Sequence, residues 1–344
     1  MLVIAVLSGM SFFFVSCEGP NGKDGKDGDN GANGQEQCGT CHNSSSLIVA
    51  KQLQWAASQH ALGSEFERTS TTCAGCHTNE GFHEVLQTGE FNTAAEVLNP
   101  TGQNCRTCHN VHKEYKDTDW ALTKTGDVKF RSAATNFDFG KGALCATCHQ
   151  SRALSVPLDI SNPSATYQIT STSFGPHYST AANAFAANGA IEITGPETYV
   201  KTFIHQSVLK NTCVDCHMAK ARGAEAGGHT MKMSYPSSTG TPTAYVAACT
   251  GCHEGLKNFD YNSTQTKIKA LIGELRTKLV AKNLLDTTTS NGVWTSDRAK
   301  IGTYPVNHVA AIFNYRWLTA DQSWGVHNPK YINAVVKNSI NAVQ

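Results

Sequence analysis

The sequence reads as short helical turns and long loops closed by longer C-terminal helices, and three observations carry that reading. A Cys-x-x-Cys-His pentapeptide recurs six times between residues 38 and 253. Loop-forming stretches rich in Ser, Thr, Ala and Asn separate the copies, the widest being residues 150–212. Beyond the last copy, apolar residues return with the period of an amphipathic helix.

In chain order, residues 2–15 are almost entirely apolar, about the length of a signal-peptide core and short of the roughly 18 residues that span a bilayer. Ser16 and Cys17 follow, and the junction resembles a bacterial lipoprotein processing site in which Cys17 becomes the acylated first residue, although Phe14 stands where such sites carry leucine. Residues 1–16 are therefore expected to be a signal peptide. From Gly19 to Gly34 glycine recurs every third residue, the collagen period, but with the single proline Pro20. So short and proline-poor a tract is a flexible hydrated spacer rather than a triple helix, and residues 17–36 read as anchor cysteine plus spacer.

After Cys17 no cysteine lies outside the repeated pentapeptide. Its copies are Cys38, Cys41 and His42; Cys73, Cys76 and His77; Cys105, Cys108 and His109; Cys145, Cys148 and His149; Cys213, Cys216 and His217; and Cys249, Cys252 and His253. Two thiols three residues apart share one face of a helical turn, so both reach the vinyl edges of one porphyrin as thioethers, and the following imidazole becomes the proximal iron ligand. Zinc ribbons need two such pairs per metal and no histidine after the second cysteine. Redox dithiols do not come six to a chain, and a disulfide framework would not place histidine after every pair. Six haem c groups are thus expected, bound within residues 37–258.

Composition bounds the partners. A hydrophobic fraction of 40% with 16% charged residues suits a folded globular chain and excludes a disordered tail or a membrane channel. The net charge of +1, without a basic block, excludes nucleic acid as a partner. Two propionates and one oxidised iron centre per haem carry that charge to about −5 oxidised and about −11 reduced. The loaded protein is expected to be acidic.

Of 14 histidines, eight remain after the proximal six: His60, His83, His112, His177, His205, His229, His308 and His327. Methionine, the other common axial ligand, is scarce: beyond the leader only Met218, Met231 and Met233 occur. Bis-histidine coordination is therefore expected at most or all sites. The distal candidates are His60, His112, His177, His205, His229 and His327, with His83 and His308 as non-ligands. His112 is expected one helical turn beyond His109, where it cannot reach the same iron from the opposite side but can serve a neighbouring haem. His229 follows its motif after a Gly-rich bend. His327 precedes Asn328 and Pro329, which read as the N-cap and first residue of a helix.

The run of CxxCH sites, the CxxCHM and GGHT segment from Cys213 to His229, and the SxGxHNPxY segment around His327 resemble the multihaem cytochrome c superfamily over roughly residues 38–335. That superfamily includes pentahaem nitrite reductases and octahaem hydroxylamine oxidoreductases with their electron-transfer relatives. The resemblance implies a mainly α, loop-rich fold organised around closely spaced haems, with C-terminal helices and little β. The anchor and spacer resemble surface cytochromes of Bacteroidota-type bacteria.

Beyond the last motif, Ile268, Leu271, Ile272, Leu275 and Leu279 mark an amphipathic helix over about 263–284, and two more helices are expected over 305–318 and 329–341. Residues 259–344 should form a haem-free helical segment packing on the haem-binding region. The functional expectation is an exported electron carrier, lipid-anchored at the outer membrane or cell surface, passing electrons to a redox protein or external acceptor. Two alternatives remain: a reductase or oxidase of a small nitrogen or sulfur compound with one open haem, or a protomer of a homo-oligomeric conductive filament. The superfamily's nitrite reductases replace the proximal histidine by lysine, and no CxxCK occurs.

Overall fold

The computed structural model describes residues 46–344 apart from 64 and 163. Five helices of ten or more residues organise it: α1 (Ser46–Ala56), α2 (Asn79–Thr88), α3 (Thr264–Ala281), α4 (Val306–Asp321) and α5 (Pro329–Ala342). Strands are confined to two-stranded antiparallel ribbons, the longest pairing Thr166–Ile169 with Gly302–Pro305. The fold is mainly α and loop-rich, as expected. No helix among the described residues is long and apolar enough to cross a membrane.

The largest core lies between the last three helices. Helix α3 buries the stripe Ile268, Ile272, Leu275 and Leu279, each such side chain contributing about 1.5–3 kcal/mol when fully buried. Helix α4 is buried on nearly every face from Val309 to Thr319, which its sequence permits because Asn314 and Arg316 find partners outside the helix. Asn314 donates to the Ile191 carbonyl at 2.8 Å and to Ser339 Oγ at 3.0 Å, and accepts from Ile191 N at 2.8 Å. Arg316 donates to the carbonyls of Thr172 (3.1 Å) and Phe174 (2.6 Å). These bonds tie the segment before the fifth motif to α4. That segment carries a strand and the short helices Ala181–Phe185 and Ile204–Val208, more order than its Ser/Thr/Ala/Asn content predicts.

Where α4 ends, Gln322, Trp324 and Gly325 take positive φ values of 55°, 53° and 99°, folding residues 322–328 back on the helix. Asn328 then accepts from Tyr331 N at 3.2 Å and caps α5, with Pro329 in its first turn, as the Asn-Pro pair predicts. Both ends of this reversal are held by α4 and α5.

A fully buried carboxylate fastens α3 to α4. Asp297 receives Arg276 Nε at 2.6 Å, Arg276 Nη2 at 3.2 Å and the Tyr315 hydroxyl at 2.5 Å. Asp297→Ala would leave the guanidinium and the buried phenol unpaired. The substitution should cost about 3–5 kcal/mol, read as a lower urea midpoint of the haem-loaded protein by far-UV circular dichroism.

Candidate functional site

The pentapeptides fold locally as their chemistry requires. Helical turns cover Ala74–His77, Cys105–Cys108, Ala143–Cys148 and Cys213–His217. The backbone N–H of His77, His109, His149 and His253 donates to the carbonyl of the first cysteine of its motif at 3.2, 2.9, 2.8 and 2.8 Å. Each such bond closes one turn, with both thiols along it and the imidazole at its end. The turn of Cys73 to His77 is pressed onto α2: a Cβ on Gly81 would lie 2.5 Å from the Ala74 carbonyl.

Each of the five described proximal histidines faces one other imidazole. Ring centres are 5.9 Å apart for His149 and His60, 6.3 Å for His77 and His177, 6.2 Å for His109 and His229, 6.1 Å for His253 and His205, and 6.4 Å for His217 and His327. Two imidazoles bonded to one metal from opposite sides, at about 2.0–2.1 Å per nitrogen, have centres about 6 Å apart. Among the described residues no three His, Cys, Asp or Glu side chains converge as a protein-only metal site would need. Opposed pairs beside a dithiol turn fit a porphyrin.

Three of the pairs, His60/His149, His77/His177 and His109/His229, line one cavity of about 1540 Å³ together with Cys76, Cys105, Cys108, Cys145 and Cys148. An ordinary single-ligand pocket holds roughly 300–1,000 Å³. In the same wall, Arg131 Nε is buried with no protein partner, leaving a cationic donor for an anionic group such as a propionate.

Outer ring nitrogens are held as well. His109 Nδ1 meets the Trp120 carbonyl at 2.7 Å, His217 Nδ1 the Met231 carbonyl at 3.1 Å, His149 Nδ1 the Ser179 hydroxyl at 2.8 Å and His327 Nδ1 the Asp321 carboxylate at 2.6 Å. The carbonyl and carboxylate partners, which only accept, fix the tautomer and leave Nε2 for the metal. Burial pushes His149, His177 and His229 down to about 4, favouring the neutral ring that a metal requires. For His327, burial also disfavours the charged ring, but the Asp321 carboxylate outweighs it and the pKa is raised.

Supporting residues come from distant parts of the chain. Gln54 on α1 accepts the His229 backbone N–H at 3.1 Å. Gly228 takes φ +50°, and a Cβ there would lie 2.5 Å from the Gln54 side chain. Thr180 donates to the Trp317 carbonyl of α4 at 2.8 Å, which anchors the loop bearing His177 and Ser179. Ala182 N donates to the His149 carbonyl at 2.9 Å.

The motifs also touch one another. The thiol of Cys76 in the second motif lies 4.0 Å from the Thr147 carbonyl of the fourth, and Cys213 of the fifth packs against the apolar cluster that holds Ala143 and Ala146. Cys108 of the third motif lines the same cavity as Cys145 and Cys148 of the fourth. The backbone explains the fourth and fifth motifs: Gly140 has φ +53°, its missing Cβ would lie 2.1 Å from the Lys210 carbonyl, and Thr212 Oγ1 donates to the Phe139 carbonyl at 2.8 Å.

The structure thus brings five expected distal candidates, His60, His177, His205, His229 and His327, each against a proximal histidine. Cys17, Cys38, Cys41 and His42 lie outside the described residues. His112 differs from expectation in its backbone. The helical turn ends at Cys108, His109 is extended and bridges to Leu122, and His112 has φ 64°. Its ring stacks on Tyr115 at 5.5 Å and lines the large cavity. His83 lies beside Phe82 and faces a side pocket shared with Arg106, His112 and Lys113; His308 lies on α4. Sequence reasoning missed Asp321, Ser179 and the two carbonyl partners. Nothing in local spacing marks them, since loop closure alone brings them to the rings.

Opposed imidazoles, each with a dithiol turn, define a multihaem c-type cytochrome. Comparison with known proteins agrees. Residues 18–121 match the family of outer membrane cytochrome MtrC/MtrF-like domains II/IV, and residues 191–344 match cytochrome c552. The chain belongs to the multihaem c-type cytochromes and carries iron as haem c. It is 25% identical over 229 residues to the C-type polyheme cytochrome OmcB of Geobacter sulfurreducens in two strains, covering 56% of this chain but 30% of the relative. Among solved structures, the outer cell wall cytochrome OcwA aligns with a TM-score of 0.49 and 19% identity over 86% of this chain and 50% of that one. A cytochrome c nitrite reductase from Desulfovibrio desulfuricans aligns with a TM-score of 0.35 and 16% identity over 85% and 69%.

Gly140→Ala sets a Cβ against a backbone carbonyl that has no rotamer to escape into. It should destabilise the protein by more than the roughly 1 kcal/mol of an average substitution and, by parting the fourth and fifth motifs, lower the haem-to-protein ratio in the pyridine haemochrome assay.

Proposed function

We propose that this chain is a hexahaem electron conduit of the cell surface. The pairing of every described proximal histidine with a second histidine at 5.9–6.4 Å carries the reading. Ligation from both sides leaves no position for a substrate, so those sites suit electron transfer rather than bond chemistry. Haem c supplies a one-electron ferric/ferrous couple. The chain's own residues set the order, spacing and wetness of the couples.

The sixth site is assigned to Cys38, Cys41 and proximal His42, with His112 as its distal ligand. His109 then serves the site next to it, only three residues away in sequence. The proposed route follows the packing of the motifs, supported by the approach of Cys76 to the Thr147 carbonyl and of Thr212 to the Phe139 carbonyl. Sites built on His109 and His77 both border the one on His149; that site borders the one on His217, which borders the one on His253. Electrons enter or leave at the ends of this branched path. Acylated Cys17 and the glycine-rich spacer would hold it at the outer membrane or cell surface, facing a redox protein or external acceptor. The match to outer membrane cytochrome domains over residues 18–121 supports that location.

Electron paramagnetic resonance of the oxidised protein should show only low-spin ferric haem, six per chain by pyridine haemochrome. His205→Ala should convert one haem to a high-spin form while five stay low-spin. A high-spin haem in the unmodified protein that binds nitrite or hydroxylamine would overturn the conduit reading in favour of an enzyme.

A further inference from the structure

The imidazole pairs are alike in spacing but not in what holds their outer nitrogens. His109 and His217 use carbonyls and His149 a hydroxyl, while His229 Nδ1 is buried without a protein partner. Among the described residues, only His327 has a carboxylate on its ring, Asp321 Oδ1 at 2.6 Å. Asp321 is the last residue of α4, and its side chain is 1% exposed. Its second oxygen accepts from the Ser323 hydroxyl and from Ser323 N at 3.3 Å. Its one ion-pair partner among the described residues is His327.

A buried carboxylate needs a compensating positive charge. Two effects act in the same direction. Accepting the Nδ1 proton gives the His327 ring imidazolate character and makes it a more basic ligand, which favours the more positive metal state. The carboxylate's own charge, weakly screened in the interior, does the same through space. Carbonyl and hydroxyl partners supply the first effect weakly and the second hardly at all.

Resting on the bis-histidine reading above, we propose that Asp321 is a positioning residue that makes the site of Cys213, Cys216, His217 and His327 the lowest-potential couple of the chain. On the route proposed above, this site lies between the cavity sites and the one on His205 and His253. Electrons arriving from either side must climb to cross it. At weak driving force the chain therefore behaves as two electron stores separated by a step, and at strong driving force as one conduit.

Asp321→Asn keeps the shape and an acceptor oxygen but removes the charge. Potentiometric titration followed by electron paramagnetic resonance should show the lowest-potential haem moving positive by at least tenfold in its reduction equilibrium, about 59 mV for one electron. The other haems should move less, and all should stay low-spin. Ser323→Ala, which takes a donor from the carboxylate and leaves more of its charge on the ring, should move the same haem in the negative direction. That second variant tests the idea even if the first fails to fold. No movement, movement of a haem other than the lowest, or both variants moving the same way would overturn it. His327→Ala separates the two readings: a new high-spin haem there leaves bis-histidine ligation standing whatever Asp321 does, and its absence would remove the ligation on which the inference rests.

Discussion

Two imidazoles must face each other across a gap of about 6 Å, and the structure is arranged around meeting that distance repeatedly. One ring of each pair comes from a motif whose local turn is fixed by four residues and one backbone hydrogen bond. Its partner comes from elsewhere, and for it there is no local rule. His60 comes from the short helix after α1, His177 from a loop pinned to α4, His205 from a five-residue helix, His229 from a glycine bend against α1, and His327 from the reversal between α4 and α5. A bond from each of these rings to iron would be short and directional, so each of these supports has to be stiff.

Stiffness is supplied unevenly. The aliphatic core sits almost wholly around α3, α4 and α5 and the segment tied to them. A second, smaller cluster around Phe130, Phe139, Ala143 and Phe185 lies under the fourth motif. Around the large cavity the described protein has few apolar contacts of its own, and polar bonds hold its rings. A bound porphyrin brings its own apolar faces, so the part of the chain that binds most of them needs least side-chain core, and its folding is coupled to loading.

Much of this was legible in sequence, for identifiable reasons. The motifs are local, so six copies could be read directly. Helix α3 was visible because its apolar stripe is regular; expected over 263–284, it runs Thr264–Ala281. Pro329 and Asn328 announced α5 through cap chemistry. Which distal histidine faces which motif was not legible, because each pairing closes a loop whose path depends on the whole fold. At His112 the three-residue spacing predicts continuing helix, but the bridge of His109 to Leu122 ends it. The order in residues 150–212 was hidden because Asn183 and Thr180 act through distant partners, Ser151 and Trp317.

The motif contacts do not follow chain order alone, and that has a physical cause. The second motif meets the fourth, where Cys76 approaches the Thr147 carbonyl at 4.0 Å, as well as the third, whose Thr107 donates to Asn79 at 2.7 Å. Residues consecutive in sequence are joined by loops long enough to let motifs choose neighbours by packing, and loop closure grows costlier only slowly with length. The binding contacts are therefore the stronger term in deciding adjacency. Where the fourth and fifth motifs are forced together, Gly140 and Thr212 take positive φ, because the chains behind their cysteines come closer than side chains allow. A chain that only needed to hold separate haems would have no reason to accept that strain; one that passes electrons between haems does.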